Sequence, residues 1–320
     1  MKLGVFAVLF GDQPFEATLD HLVELGVEAI EIGTGAYPGN AYCDPALLLK
    51  NERRLRAFRE AIDSRGLVIS ALSCHGNPLH PQAKIARQHH DVFLKTVALA
   101  KKLGVETVVT FSGCPGGDSK STQPNWIASP WPPEFAAMLD WQWKERVTPY
   151  WKDTARVCRS AGVKVAIEMH PNFVVYHPES MRRLMAVAPG VIGCNFDPSH
   201  MFWQGIDPVQ AIRALAGSIF HVHAKDCQLD AANVAVNGVI DTKSYTREGE
   251  RSWIFRTVGY GHDALVWKDI VSHLRLAGYD HVLSIEHEDS LMSGAEGLKK
   301  AVAFLRDVVI TQPKGDAYWA

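Results

Sequence analysis

The sequence lacks the long apolar runs and the charge excess that mark several protein classes. No stretch approaches the ~18 continuous apolar residues that a membrane-spanning helix needs. Lysine and arginine together number 33, against 35 aspartates and glutamates, which gives a formal charge of −2. This balance provides neither the basic stripe of a nucleic-acid-binding protein nor the polybasic patch of a membrane-surface protein. We therefore expect no nucleic-acid partner and no membrane partner.

The six cysteines also lack the spacing of a metal ribbon or a disulfide framework. They stand at positions 43, 74, 114, 158, 194 and 227, and no two of them form a Cys-x-x-Cys pair. Such isolated cysteines are typical of reduced thiols and predict a cytoplasmic protein. The apolar stretch Met1–Phe10 has one lysine and no convincing small-residue cleavage site, and turn residues follow it. It predicts a first strand rather than a signal peptide.

Strand-like and helix-like segments alternate eight times along the chain. The predicted strands are Leu3–Phe10, Ala29–Ile32, Leu67–Leu72, Thr107–Phe111, Val163–Glu168, Val191–Phe196, Ile219–His223 and Val282–Glu286. The predicted helices are Phe15–Leu25, Pro45–Arg65, Gln82–Leu103, Glu134–Ala161 with a possible break near Pro149, Pro178–Ala188, Pro208–Leu215, Ala264–Ala277 and Gly294–Ile310. A glycine often ends a helix just before the next strand, as a C-cap does.

This alternation predicts an α/β fold, a single (β/α)8 TIM barrel spanning residues 1–320. The strands are apolar throughout, as expected when both faces of a parallel sheet are covered. An open doubly wound sheet would normally show Gly-x-Gly-x-x-Gly after its first strand, and that motif is missing there. Long segments at about 112–133 and 224–263 follow the fourth and seventh strands, and a short tail ends the chain. Both segments are candidates for lids or partner contacts.

Four consecutive strand ends carry residues that can bind a metal ion. Glu168, Asp197, His223 and Glu286 stand at or next to the ends of the last four predicted strands. A barrel places successive strand ends ~5 Å apart and aims them at one volume, where carboxylates without a cation would repel each other. Carboxylates together with an imidazole suit Mn²⁺, Co²⁺ or Zn²⁺. Each residue alone is more often a rim or core residue than a metal ligand, so the prediction depends on the set.

The same residues lie in motifs that resemble a known family. The motifs are Ile167-Glu168, Asp197-Pro-Ser-His200, His221-Val-His-Ala-Lys-Asp226, Gly259-Tyr-Gly-His-Asp263, Leu276-Ala-Gly-Tyr279 and Ser284-Ile-Glu286. They are similar to those of the xylose-isomerase-like barrel superfamily, in the branch of sugar phosphate isomerases and epimerases. That branch includes ketose 3-epimerases, inosose dehydratases and α-type subunits of C-glycoside-cleaving enzymes. The resemblance spans the barrel, is strongest over about 163–305, and is specific for the superfamily but weak for the substrate.

The resemblance implies a set of roles. Glu168, Asp197, His223 and Glu286 would bind one divalent metal, with Mn²⁺ as first choice and Co²⁺, Mg²⁺ or Zn²⁺ as alternatives. Glu168 and Glu286 would also be the catalytic residues, moving protons next to the carbonyl of a sugar or keto-sugar through a metal-stabilised enediolate. The residues implied to contact the substrate are His75, His200, Lys225 and Asp226.

The net reaction stays open at this point. Deprotonation next to a carbonyl can lead to epimerisation, to isomerisation, or to elimination, as in a keto-sugar lyase or an inosose-type dehydratase. A DNA-repair endonuclease on this barrel would want more histidines, for example in Phe111–Pro115, and a basic surface. A non-catalytic barrel subunit would not need the intact set of ligands. A homo-oligomer or a small accessory subunit is compatible with the pattern.

Overall fold

Eight parallel strands close into a barrel in the computed structural model, which describes residues 1–319. The barrel strands are β1 (Lys2–Phe6), β2 (Ala29–Gly33), β3 (Val68–Ser73), β4 (Thr107–Phe111), β5 (Lys164–Glu168), β6 (Ile192–Phe196), β7 (Ile219–Ala224) and β10 (Val282–Ile285). Their order around the barrel follows the chain, and β10 closes the ring by pairing with both β7 and β1. The predicted (β/α)8 barrel is therefore confirmed.

Helices cover the outside of the barrel and connect its strands. They are α1 (Phe15–Glu24), α2 (Pro45–Lys50), α3 (Glu52–Asp63), α4 (Ala83–Leu103), α5 (Pro133–Trp141), α6 (Thr148–Ala161), α7 (Pro178–Met185), α8 (Pro198–Trp203), α9 (Pro208–Ala214), α10 (Ala231–Asn237), α11 (Ala264–Leu276) and α12 (Gly294–Arg306). Within residues 1–319, no helix combines the length and the apolar character needed to cross a bilayer. All six cysteines are buried and free.

Two predicted elements are shorter than the pattern suggests. The first strand, predicted over Leu3–Phe10, ends at Phe6, and the remaining residues form a 3-10 turn. The helix predicted over Pro45–Arg65 divides at Asn51, where the backbone is extended at φ −136°. The Asn51 side chain accepts a hydrogen bond from the backbone N–H of Arg54 and so caps α3. A capping residue inside an apolar pattern therefore starts a second helix.

The helix predicted over Glu134–Ala161 is interrupted by a wide turn rather than a break. Residues Gln142–Val147 form a π-helical stretch that joins α5 to α6. It ends two residues before Pro149, which has no backbone N–H to complete a regular helical hydrogen bond. The buried Gln142 side chain donates to the carbonyl groups of Gly116 and Asn125. The wide turn thus ties the helix to the first long segment.

The second long segment contains regular structure that the sequence pattern does not predict. Strands β8 (Asp226–Leu229) and β9 (Trp253–Arg256) pair in an antiparallel two-stranded sheet. This sheet packs on α8 through a buried cluster in which the rings of Trp203 and Trp253 stack 4.6 Å apart. The segment therefore covers the carboxyl end of the barrel next to β6 and β7.

We expect the buried face of α11 to contribute strongly to stability. Leu274 is fully buried, whereas Leu276 in the same helix is 75% exposed. Leu274→Ala should lower the free energy of unfolding by about 2–5 kcal/mol, because it leaves a cavity in the core. The matched variant Leu276→Ala should change it by less than about 0.5 kcal/mol. Chemical denaturation followed by circular dichroism measures both, and equal losses would contradict this packing.

Candidate active site

The carboxyl ends of four neighbouring strands bring the four predicted metal ligands together. Glu168 ends β5, Asp197 follows β6, His223 is the second-to-last residue of β7, and Glu286 follows β10. One side-chain atom of each lies within 4.8 Å of the corresponding atoms of the others. Glu286 is the most exposed of the four, with 13% of its side chain accessible. The ring closure of the barrel therefore produces one compact group of donors.

Asp197 divides its carboxylate between a helix and this group. Its Oδ1 accepts a hydrogen bond from the backbone N–H of Ser199 at 2.8 Å and so caps α8. Its buried Oδ2 has no hydrogen-bond partner among residues 1–319. Because the cap fixes one oxygen, the other is held in place facing the site.

Two further buried atoms face the same space without hydrogen bonds. Nδ1 of His223 lies 3.3 Å from Oε2 of Glu168 and 3.1 Å from Oε2 of Glu286. Despite these distances, neither Nδ1 of His223 nor Oε2 of Glu286 makes a well-oriented hydrogen bond within the described chain. Buried polar atoms in proteins are normally paired. Carboxylate and imidazole lone pairs that converge in this way can hold a divalent metal ion.

Lys225 lies at the edge of the group. Its Nζ is 3.1 Å from Oδ2 of Asp197, 2.8 Å from Oε2 of Glu286 and 3.1 Å from Oε2 of Glu288. Burial opposes the charged form, but Asp197 and Glu286 raise the pKa of Lys225 well above its usual value. One ammonium does not balance the three carboxylates among the predicted ligands. The remaining negative charge in a buried space favours a bound cation.

Three histidines surround Glu168. Nε2 of His75 donates to Oε2 of Glu168 at 2.9 Å, and Nε2 of His200 lies 3.5 Å from Oε1. Both ring nitrogens of the buried His200 are without a hydrogen bond to any described residue. The His170 ring lies 4.2 Å from that of His200. Burial, followed by the neighbouring His200, lowers the pKa of His170 to about 3, so this imidazole is neutral.

Glu168 itself is held as a carboxylate. Burial favours its neutral acid, but the neighbouring His223 and His75 hold the pKa of Glu168 well below its usual value. A buried carboxylate that remains ionised can bind a cation or accept a proton from a ligand. His75, His200 and Lys225, three of the four residues implied to contact the substrate, thus lie against the four predicted ligands.

Asp226, the fourth of those residues, is engaged elsewhere. Its two oxygens accept hydrogen bonds from six donors: the backbone N–H groups of Cys227, Gly259, Gly261 and His262, Nδ1 of His262 and the indole of Trp267. A Cβ atom at Gly261 would lie 2.5 Å from Oδ1 of Asp226, so the close approach of this loop requires glycine. Asp226 therefore anchors the loop before α11, and the structure does not bring it into the group around Glu168.

Beneath the predicted ligands lies a second polar layer that the motifs do not reveal. Glu31 of β2 is fully buried and accepts hydrogen bonds from Ser73, Ser284 and Nε2 of His223. Burial alone would raise the pKa of Glu31, but the neighbouring His223 and His221 lower this pKa to about 2. In sequence, Glu31 is an acid inside the apolar run Ala-Ile-Glu-Ile-Gly. A buried acid needs hydrogen-bond partners, so an acid inside an apolar strand is the sequence signal for this layer.

Asn195 of β6 belongs to the same layer. Its Nδ2 donates to Oε2 of Glu168 at 3.0 Å, and its Oδ1 accepts from Nδ1 of His221 at 3.0 Å. An amide inside the apolar strand Ile-Gly-Cys-Asn-Phe is again the sequence signal. Asn195 fixes one oxygen of Glu168 from below, as the helix cap fixes one oxygen of Asp197.

Aromatic rings flank the group on two sides. Phe111 at the end of β4 stacks on Phe173 at 4.2 Å. On the opposite side, Phe255 of β9 lies 5.5 Å from the His200 ring, and Tyr245, which is 55% exposed, stacks on Phe255 at 5.9 Å. The carboxylates of the candidate site therefore lie between aromatic rings.

Two curated proteins are similar to this chain over most of its length. The uncharacterised protein YfiH of Bacillus subtilis (strain 168) is 36% identical over 312 residues, covering 97% of this chain and 99% of that protein. The rhizopine catabolism protein MocC of Rhizobium meliloti is 27% identical over 281 residues, covering 88% of this chain and 76% of that protein.

Solved structures share the fold at low sequence identity. An IolI protein with a bound zinc atom matches with a TM-score of 0.66 at 19% identity, over 97% of this chain and 98% of that one. The 3-keto-D-glucoside 4-epimerase YcjR from E. coli gives 0.63 at 15%, over 96% and 99%. The probable 3-DHS dehydratase AsbF from Bacillus anthracis gives 0.66 at 18%, over 96% and 99%. At these identities the likeness shows the fold alone.

The family comparison covers most of the barrel. The family model described as xylose isomerase-like TIM barrel matches residues 19–308, an interval that contains all four predicted ligands. The resemblance seen in the motifs is thereby confirmed. This chain belongs to the xylose isomerase-like TIM barrel family.

Proposed function

We propose that the protein is a divalent-metal-dependent enzyme that transfers a proton next to the carbonyl group of a sugar or keto-sugar. The observation that carries this proposal is the convergence of Glu168, Asp197, His223 and Glu286, with three buried atoms left without hydrogen bonds. Family membership supports an enzymatic role, since proteins of this fold include a keto-glucoside epimerase and a probable dehydratase. Isomerisation or epimerisation is the leading form of the reaction.

We assign the metal to these four residues, with Mn²⁺ as first candidate and Co²⁺, Mg²⁺ or Zn²⁺ as alternatives. A cation bound there would supply positive charge next to the substrate oxygen on which negative charge develops. Asp197 and His223 are each held by a second contact, to the α8 N-terminus and to Glu31 respectively. Ligands held in this way need little rearrangement to bind an ion.

We assign proton transfer to Glu168 and Glu286. Glu168 ends β5 and Glu286 follows β10, and in the ring of strands β6 and β7 stand between β5 and β10. They can therefore approach a bound sugar from different directions. One carboxylate takes the proton from the carbon next to the carbonyl, and the other carboxyl group returns a proton to the same carbon. Return on the opposite face inverts that carbon, which is epimerisation.

The charges around the site support a substrate without phosphate. Lys225 is already paired with carboxylates, and Arg256 of β9 lies 3.2 Å from Asp289. The buried Arg251 donates to the backbone carbonyl groups of Trp253 and Lys243. None of these three cations is free for a phosphate group, and the carboxylates of the site would repel a phosphate dianion.

We assign the substrate contacts to His75, His200 and Lys225. The histidines present ring nitrogens next to Glu168, where hydroxyl groups of a sugar can exchange hydrogen bonds with them. The aromatic faces of Phe111 and Tyr245 suit the apolar face of a sugar ring. Asp226, with six donors on its two oxygens, is assigned to holding the loop.

A second outcome on the same site is elimination, as in a keto-sugar lyase or dehydratase. The observation that favours it is the buried ammonium of Lys225, 2.8 Å from Glu286. After the first proton is removed, the carboxyl group that took it can pass it to a leaving hydroxyl or glycosyl oxygen, and an ammonium group at this position can stabilise the negative charge that develops on that oxygen. The product distinguishes the two outcomes: a stereoisomer in one case, and an unsaturated or cleaved compound in the other.

The metal assignment predicts a difference between two matched aspartates. Asp197 and Asp207 each precede a proline and cap a short helix, but Asp207 is exposed and lies outside the site. In chelator-treated wild-type protein, Mn²⁺ at about 100-fold above its Kd should add about 2.7 kcal/mol of stability. Asp197→Asn should lose most of this gain in thermal unfolding, whereas Asp207→Asn should keep it. A gain that survives Asp197→Asn would contradict the assignment.

The proton-transfer assignment predicts solvent exchange. With Mn²⁺ in D₂O, wild-type protein should replace the proton next to the carbonyl of a 3-oxo-glucoside, an inosose or a free ketose, as measured by proton NMR. Glu168→Gln and Glu286→Gln should each slow this exchange by about 10²–10⁴-fold, because each removes a proton-transferring group.

The control for exchange is Glu179→Gln, an exposed glutamate in the first turn of α7, which should exchange at the wild-type rate. The bound metal in each variant is measured in parallel, so that loss of the ion is distinguished from loss of proton transfer. The same spectra show whether the product is an epimer or an eliminated sugar. If wild-type protein exchanges no carbonyl sugar, the proposed function is wrong.

A further inference from the structure

We propose that Glu31 is a positioning residue that fixes the orientation and tautomer of His223, so that Nδ1 of His223 is presented to the metal site. This inference rests on the metal site proposed above. Glu31 lies one layer below the four ligands and belongs to a different part of the barrel, the strand β2.

The contacts of Glu31 come from three other strands. The hydroxyl groups of Ser73 on β3 and Ser284 on β10 donate to Oε1 and Oε2 respectively. Nε2 of His223 on β7 lies 3.0 Å from Oε1 and 3.1 Å from Oε2. All four strands thus meet at one fully buried carboxylate.

These contacts determine which nitrogen of His223 carries the hydrogen atom. An ionised carboxylate accepts hydrogen bonds and donates none, so Nε2 must be the donor. A histidine binds a metal as the neutral imidazole, and in that form hydrogen on Nε2 leaves the lone pair on Nδ1. Nδ1 is the nitrogen that faces Glu168 and Glu286 at 3.3 Å and 3.1 Å. The Glu31 contact therefore selects the tautomer that a metal ligand needs.

Packing restrains the same ring. Phe6 at the end of β1 stacks on the His223 ring with centroids 5.6 Å apart and an angle of 27°. A rotated imidazole would lose both this stacking and the bond to Glu31. The ring is thus held by an aromatic face and by a carboxylate, and only Nδ1 is left for the site.

A purely structural role does not explain a carboxylate at this position. The rest of β2 is apolar and buried, with the sequence Ala-Ile-Glu-Ile-Gly. A buried carboxylate carries a desolvation penalty that a well-packed apolar side chain avoids. The specific property that Glu31 adds is acceptor capacity directed at Nε2 of His223.

The test compares wild-type protein with Glu31→Met and Glu31→Gln. Methionine has nearly the same length but cannot hold Nε2, whereas the glutamine amide oxygen can still accept from it. Isothermal titration of metal-free protein with Mn²⁺ should show a Kd about 10- to 100-fold weaker for Glu31→Met. Glu31→Gln should lie between Glu31→Met and wild type. Ser284→Ala, which removes one donor to Glu31 but keeps the carboxylate, should have a clearly smaller effect.

Two further measurements separate positioning from folding. Thermal unfolding without metal reports the stability of each variant, and if Glu31→Met does not fold, Glu31→Gln carries the test. In Zn²⁺-loaded wild-type protein, the hydrogen on Nε2 of His223 should give a downfield proton resonance that Glu31→Met lacks. Folded variants with the wild-type Kd would overturn the inference, even if they unfold at lower temperature. If wild-type protein itself binds no Mn²⁺, it is the proposed metal site that fails.

Discussion

The concentration of negative charge in a buried space is the constraint on which the rest of this structure depends. Three carboxylates, from Glu168, Asp197 and Glu286, lie together where water cannot solvate them well. Such a group is stable only with compensating positive charge. The ammonium of Lys225 supplies part of it, and a cation would supply the remainder. The polar layer below the predicted ligands and the aromatic rings that flank them both contact this group.

The supports of the predicted ligands come from regular elements rather than from loops. The α8 N-terminus fixes Asp197, Asn195 of β6 fixes Glu168, and Glu31 of β2 holds His223. Side chains on strands are positioned more precisely than side chains on loops. The segment containing β8 and β9 contributes walls, including Phe255, and its attachment depends on Asp226. The supports of the predicted ligands thus belong to the barrel and α8, whereas Phe255 belongs to the segment after β7.

The sequence predicts the barrel well, because the apolar runs and their spacing are strong signals. The four strand ends can be located because each lies where an apolar run becomes polar. The role of Glu31 is not predicted because it lies inside such a run. Its contact with Ser284 arises only when the ring closes between β10 and β1. Asp226 lies apart from the group of predicted ligands although it is adjacent to Lys225 in sequence, because successive side chains of an extended chain point to opposite sides.

Asp197 caps α8 and is also a proposed metal ligand, and this combination has a consequence for comparing related barrels. A relative without the proposed activity would still need this aspartate, because the start of α8 depends on it. The presence of the aspartate in a relative is therefore weak evidence that the relative is an active enzyme. Glu286 caps no helix, and its contacts are with Lys225 and His223 inside the candidate site. In a related barrel, the presence or absence of a glutamate at the position of Glu286 is therefore more informative about the proposed activity than the presence of the aspartate.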